Sequence, residues 1–445
     1  MPIHGPYLIA LTVAAIGLLL FLILAVRLHA FLALMLAAMF LGLTTGLGPA
    51  KTLKSIQAGF GDALGFIAVV VGLGAMIGSF LEHSGGGRAL ADWLLEKFGR
   101  DRAVWAVVTA SFLVGLPIFF EVGFIILIPI VWNLTRESKK SLLYFGMPMA
   151  AALTVTHSLV PPHPAPAAAA QLLGADLGRV ILYGAATSIP MVLAGGVLYG
   201  TWLSKRLYIP NPPMAAREAA VPAKQPASPS VPLVILVLVL PVLFIFAATI
   251  STMTKSPGET ALGFFGHPFS ALLVTTLIAM LFFGFGRGLD RSQVARMATD
   301  SLAPIGTLLV IMGGGGAFKQ VIVDSGVGPY AGKLLATSSI SPLVVAYIVA
   351  AAMRAAQGSA TVAIITAAGI MAPLVKNIPG YTPEMIVLAL SCGGTCLSHV
   401  NDAGFWMVNE YFGMTVPQTL RSWTVMKVLT SLTGLAIVLL AQALR

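Results

Sequence analysis

The sequence predicts an all-α polytopic membrane protein, built from two inverted repeats of about five transmembrane helices, each repeat with a re-entrant hairpin and a broken helix. Three observations carry this. Hydrophobic residues fill 58% of the 445 positions and charged residues only 9%, against about 25% charged in a soluble domain; mean hydropathy is +0.93. Uncharged runs are long enough to cross a bilayer: 7–26 holds 20 residues without a charge, and about 20 apolar residues span the hydrocarbon. Finally, apolar segments break into polar clusters at two places, and His399 of the second lies 242 positions after His157 of the first.

The first half, 1–208, reads as crossings at 7–26, 30–47, 60–81, 142–158 and 180–203. The run at 7–26 is taken as a crossing and not a cleaved signal peptide, because no basic segment precedes it and no small-residue cleavage site follows. A Pro-rich linker, 209–230, holds Pro212, Pro213, Pro222, Pro226 and Pro229 among Arg217, Glu218 and Lys224, a composition that cannot bury a core. The second half, 231–445, reads as crossings at 231–250, 262–285, 301–323, 384–400 and 425–443. Each half also holds an apolar stretch too long for one comfortable span and interrupted in its middle: 103–134 around Leu116-Pro117, and 342–373 around Gly358-Ser359. Both are read as re-entrant hairpins. Interrupted segments at corresponding places in two halves are the strongest sequence pointer to a substrate site.

The polar clusters follow from the same local rules. Proline removes a backbone donor and clashes with the preceding turn, so a helix reaching Val160 must stop before Pro161-Pro162. Non-helical polar backbone at membrane depth needs protein or a watery cavity around it. The glycine run 313–316 is read as a close helix crossing or a kink, since no Gly-Lys-Ser/Thr follows it to form a phosphate loop. Cys392 and Cys396, the only cysteines, lie four apart on an apolar face and read as small packing residues.

Five crossings per half is an odd number, so the second half lies inverted relative to the first. The net charge of +10 sits in short loops, which is the pattern of membrane topology and not of nucleic-acid binding. With the linker in the cytoplasm, 17 Lys and Arg fall inside, Lys427 among them, and 7 outside, leaving Lys319 and Arg354 within apolar segments. Both termini are then extracytoplasmic, with the first hairpin entering from the cytoplasm and the second from outside.

Four strings in order, Pro117-Ile-Phe-Phe-Glu-Val-Gly-Phe124, Leu159-Val-Pro-Pro-His-Pro-Ala-Pro166, Arg354-Ala-Ala-Gln-Gly-Ser-Ala-Thr-Val362 and Ser398-His-Val-Asn-Asp-Ala-Gly-Phe-Trp406, make the chain resemble the gluconate permease family of bacterial proton symporters, within the wider ion transporter superfamily. The resemblance runs nearly end to end and is least informative in the linker. It implies uptake of gluconate or a related sugar acid with protons, through a multi-pass protein of the bacterial inner membrane that works as a homodimer without cofactor or metal. It leaves open glycerate, citrate, D-serine or another small acid as the substrate, and sodium as the coupling ion.

Ionisable residues inside a membrane are functional candidates by default. Arg354 can meet a substrate carboxylate through its planar guanidinium; the alternative is an arginine bonded to local carbonyls. Gln357, Ser359 and Thr361 follow with groups suited to hydroxyls, although small polar residues also ease helix packing. His157, Ser158 and His163 flank the proline run, where a neutral imidazole offers one donor and one acceptor. Asn401 and Asp402 are candidate substrate contacts, with Asp402 open to a plain N-cap role. For the proton, Glu121 comes before Asp402 and His157, because no Lys or Arg lies within ten residues of it and a desolvated carboxyl without a cationic partner favours its neutral form. An intramembrane enzyme is the rival from another class, and the chain has no His-Glu-x-x-His or Gly-x-Ser-x-Gly string to support it. A passive channel is disfavoured by the paired hairpins.

Overall fold

The computed structural model describes residues 5–213, 215, 229–254, 259–327, 330, 340–375, 378–400 and 402–444, and all regular structure among them is helical. In the first half the helices are α1 (Gly5–Leu24), α2 (Ala30–Thr44), α3 (Pro49–His83), α4 (Gly86–Phe98), α5 (Ala103–Val114), α6 (Phe120–Ser138), α7 (Leu143–Leu159), α8 (Pro164–Leu173) and α9 (Leu177–Ser204). In the second they are α10 (Val231–Thr254), α11 (Glu259–Gly266), α12 (Pro268–Arg287), α13 (Arg291–Asp300), α14 (Gly306–Asp324), α15 (Pro342–Gln357), α16 (Ala360–Val375), α17 (Pro383–Thr395), α18 (Ala403–Tyr411) and α19 (Val416–Ala443).

The order of elements recurs. Helices starting at Ala103, Leu143, Pro164 and Leu177 are matched by helices starting at Pro342, Pro383, Ala403 and Val416, 239 or 240 positions on in each case. Both interrupted stretches are helix pairs, α5 with α6 and α15 with α16. The 13 residues 216–228 of the expected linker lie outside the described residues; its start is held down, with Asn211 donating to Trp132 O at 2.7 Å and Ile209 buried.

Among the described residues, eight helical spans, α7 and α8 taken together as one, are long and apolar enough to cross a membrane, and they account for eight of the ten expected crossings. The expectations at 30–47 and 384–400 become α2, of 15 residues, and α17, of 13. α2 stops because Gly46 and Gly48 turn the chain at φ of 80° and 79° before Pro49 opens α3. In α17 every residue after Pro383 is buried, and a helix sheathed in protein need not match the hydrocarbon thickness. The crossing at 262–285 is interrupted at His267, which caps α12 ahead of Pro268.

The two halves are locked where α3 crosses α14, and there the glycine run works as a close approach. A Cβ on Gly316 would lie 2.4 Å from Gly59 O, and one on Gly59 2.4 Å from Gly316 O. Gly313 likewise receives the ring of Phe60. Backbone on backbone leaves nothing that can rotate away. Gly316→Ala is therefore expected to lower stability by about 1–3 kcal/mol, whereas Gly65→Ala, with open space around the new methyl, gains helix propensity and costs nothing. Thermal unfolding of the two detergent-purified variants checks this, and equal melting points would refute the crossing.

Candidate functional site

The site forms where the helix breaks of each half meet the hairpins. In the first half α7 ends at Leu159, the chain passes a cis Pro161–Pro162 bond, and α8 restarts with His163 as its N-cap. Proline is tolerated at the start of α8 because the first amides of a helix have no intrahelical acceptor. His163 is buried, and its Nε2–H donates to Gly115 O at 2.5 Å, which ties this break to the tip of the α5–α6 hairpin. His157, in the last turn of α7, lies 3.3 Å from Thr361 Oγ1 through Nε2. Thr361 belongs to the hairpin of the other half, so this contact joins the halves. The ring of Phe119, at the first tip, packs against both imidazoles, with centroids 5.8 and 6.2 Å away.

In the second half α17 gives way at Cys396 to a non-helical stretch in which Leu397 is left-handed at φ 45°, and helix resumes at Ala403 with Asp402 as its N-cap. Asp402 does more than cap. Its Oδ1 accepts from Gly404 N at 3.1 Å, and its Oδ2 accepts from Ser398 Oγ and from Arg354 Nη2. Arg354, in the last turn of α15, donates its Nη1 to Gly358 O, which Gly358 offers from a left-handed turn at φ 75°. Ser398 in turn accepts from Trp423 Nε1 at 2.6 Å, and its carbonyl accepts from Thr424 Oγ1 at 2.6 Å. Trp423 and Thr424 sit in a π-turn, Leu420–Thr424, inside α19, and such turns gather at functional sites.

Beside these groups lies a partly open cavity of about 280 Å³ lined by Phe120, Glu121, Thr154, His157, Arg354, Gly358, Ser359, Ala360, Thr361, Asp402, Ala403, Gly404, Trp423 and Lys427. Its volume is near the lower end of small-molecule sites, about 300–1,000 Å³. Of the sequence candidates, Glu121, Ser359, Thr361, Asp402, His157 and Arg354 line this cavity. His163 and Ser158 do not line it; Ser158 Oγ is buried with no partner among the described residues. Asn401 lies outside the described residues, as does the side chain of Gln357.

Sequence reasoning missed Lys427. It was counted with the loop cations, but it stands inside α19, 1% exposed, with Nζ donating to Thr154 Oγ1 at 2.6 Å and lying 5.4 Å from the Trp423 ring centroid. The correction leaves 16 loop cations on the linker side against 7. The signal was present: Thr415 and Gln418 form a capping box with Pro417 in the first turn, so α19 starts at Val416 and Lys427 falls three turns in.

Eight membrane-length helices among the described residues, with a polar cavity where α7 and α19 meet the two helix hairpins, define a multi-pass membrane permease. The profile of the GntP family permeases matches residues 7–444, and the chain belongs to that family. It is 43% identical to the gluconate permease of Pseudomonas aeruginosa over 443 residues, 98% of each chain. It is 41% identical to the high-affinity gluconate transporter of Escherichia coli over 430 residues, 96% of this chain and 97% of that one. Among solved structures, the Alcanivorax borkumensis YdaH transporter shares the fold with a TM-score of 0.66 at 16% identity, covering 92% of this chain and 96% of that one.

Removing the acid of a buried pair strands the cation, which costs about 3–5 kcal/mol. Asp402→Ala is expected to destabilise the permease by that amount, and adding Arg354→Met is expected to restore part of it. Denaturation of both variants in detergent measures the difference; identical losses would show that the two side chains do not depend on each other.

Proposed function

We propose that this permease takes up gluconate or a related sugar acid across the bacterial inner membrane, driven by the proton gradient, with the cavity as its substrate site. The observation that carries the reading is the convergence on that one cavity of an acid, an imidazole, a buried lysine and the hydroxyls of Thr154, Ser359 and Thr361, drawn from both halves. A sugar acid presents one carboxylate and a row of hydroxyls that each donate and accept, so it needs both kinds of partner. The gluconate in the names of the two relatives supports the substrate class.

Glu121 is the proton carrier in this reading. It sits in the first turn of α6, opens onto the cavity and forms no ion pair among the described residues. Glutamine keeps its size and hydrogen bonding but cannot titrate. In proteoliposomes an imposed pH gradient is expected to drive gluconate accumulation that a protonophore abolishes and that sodium replacement leaves unchanged; Glu121→Gln is expected to keep gluconate binding and to lose accumulation. Uptake that follows sodium at fixed pH would replace protons as the coupling ion. Accumulation by Glu121→Gln with normal pH dependence would move the proton to Asp402 or His157.

The second half is inverted in this reading, with the linker cytoplasmic and both termini extracytoplasmic, supported by the loop-charge asymmetry. Ser138, at the end of the first hairpin, and Pro379, just after the second, are exposed and occupy nearly corresponding places in the two halves. Single cysteines at each, in a background without Cys392 and Cys396, are expected to label from opposite sides, Pro379→Cys from outside in intact cells. Labelling of both from one side would overturn the inversion.

A further inference from the structure

Two cations line the cavity, and their surroundings differ. Arg354 spends Nη1 on Gly358 O and Nη2 on Asp402, so its charge is matched within the protein. Lys427 has no acid in ion-pair contact among the described residues; its recorded partners are a neutral hydroxyl, Thr154 Oγ1 at 2.6 Å, and the face of Trp423. An ammonium carries three donors and no acceptor, and Thr154 engages one of them. A buried cation left without a counter-ion is strongly unfavourable, and an exposed carboxylate entering the cavity would relieve it.

We propose that Lys427 is the residue that receives the carboxylate of the transported anion, while Arg354 belongs to the scaffold through Asp402. This rests on the sugar-acid reading of the cavity. The aromatic face of Trp423 holds the ammonium by cation–π attraction, and the same Trp423 donates to Ser398, the neighbour of Asp402 in the network. Lys427 is thereby fixed one helical turn from the Arg354–Asp402 pair's anchoring tryptophan, and the anion docks beside the pair without competing for it. The hydroxyls of Ser359 and Thr361 on the second hairpin are left for the polyol chain of the substrate.

The test compares an anion with its neutral counterpart. Binding of gluconate and of gluconamide, which keeps the hydroxyls and lacks the charge, is measured by calorimetry on the full chain in detergent. Wild-type protein is expected to prefer gluconate. Lys427→Met is expected to weaken gluconate about 10- to 100-fold, the range of a charged hydrogen bond, while gluconamide changes little; Lys427→Arg keeps the preference for the anion. If the Met variant does not fold, Lys427→Gln, which retains a donor for Thr154, takes its place. Equal weakening of both ligands, or an unchanged anion preference in the uncharged variant, overturns the assignment of Lys427 alone. Wild-type protein that binds neither compound overturns the sugar-acid reading and this proposal with it.

Discussion

A guanidinium buried to 2% exposure must be met by an acid, and the second half of this permease is arranged so that Asp402 reaches Arg354. The requirement explains several features at once. α17 stops short of a full crossing so that the segment after it can carry Ser398 and Asp402 to the tip of the α15–α16 hairpin. Asp402 then opens α18, where a carboxylate also complements the helix N-terminus. The left-handed turn at Gly358 delivers the carbonyl that takes Arg354's other arm. A hairpin whose tip is pinned by charge holds its shape even though its backbone is interrupted.

The first half solves the corresponding problem without charge. There the break after α7 is fixed by a neutral contact, His163 to Gly115 O, and by Phe119 packing on both imidazoles. The asymmetry bears on mechanism. A tip held by aromatic packing and one hydrogen bond is less tightly bound than one held by an ion pair with five further hydrogen bonds around it, and the less constrained tip is the one that leads directly into Glu121. In the proposed reading, substrate recognition and proton exchange fall to walls of the same cavity that are held by different kinds of contact.

The fixed frame beneath the site is the α3–α14 crossing. Two glycines in backbone contact there bring the halves as close as helices can come, and small residues at such crossings are how membrane helices associate when lipid offers no hydrophobic drive. The single contact between His157 and Thr361 is weak beside it.

The sequence by itself determined the class of fold, because hydropathy, the proline and glycine interruptions and the recurrence of both are local properties that need no partner to be read. It also singled out Glu121, Arg354, Thr361, Asp402 and His157 as candidates, since an ionisable or polar residue in an apolar segment stands out without knowledge of its neighbours. Pairing was decided only by the tertiary structure. Arg354 and Asp402 are 48 positions apart, and whether an arginine awaits a ligand or already has an acid depends on where the chain between them travels. Helix length was likewise a matter of surroundings: α17 could be short because protein encloses it. Lys427 looked like a loop cation for the same reason in reverse, because hydropathy places a charge at the edge of a span whereas the capping box at Thr415 starts the helix earlier and carries the charge inside. Burial of a charge is a property of the packed whole, and no reading of neighbours along the chain supplies it.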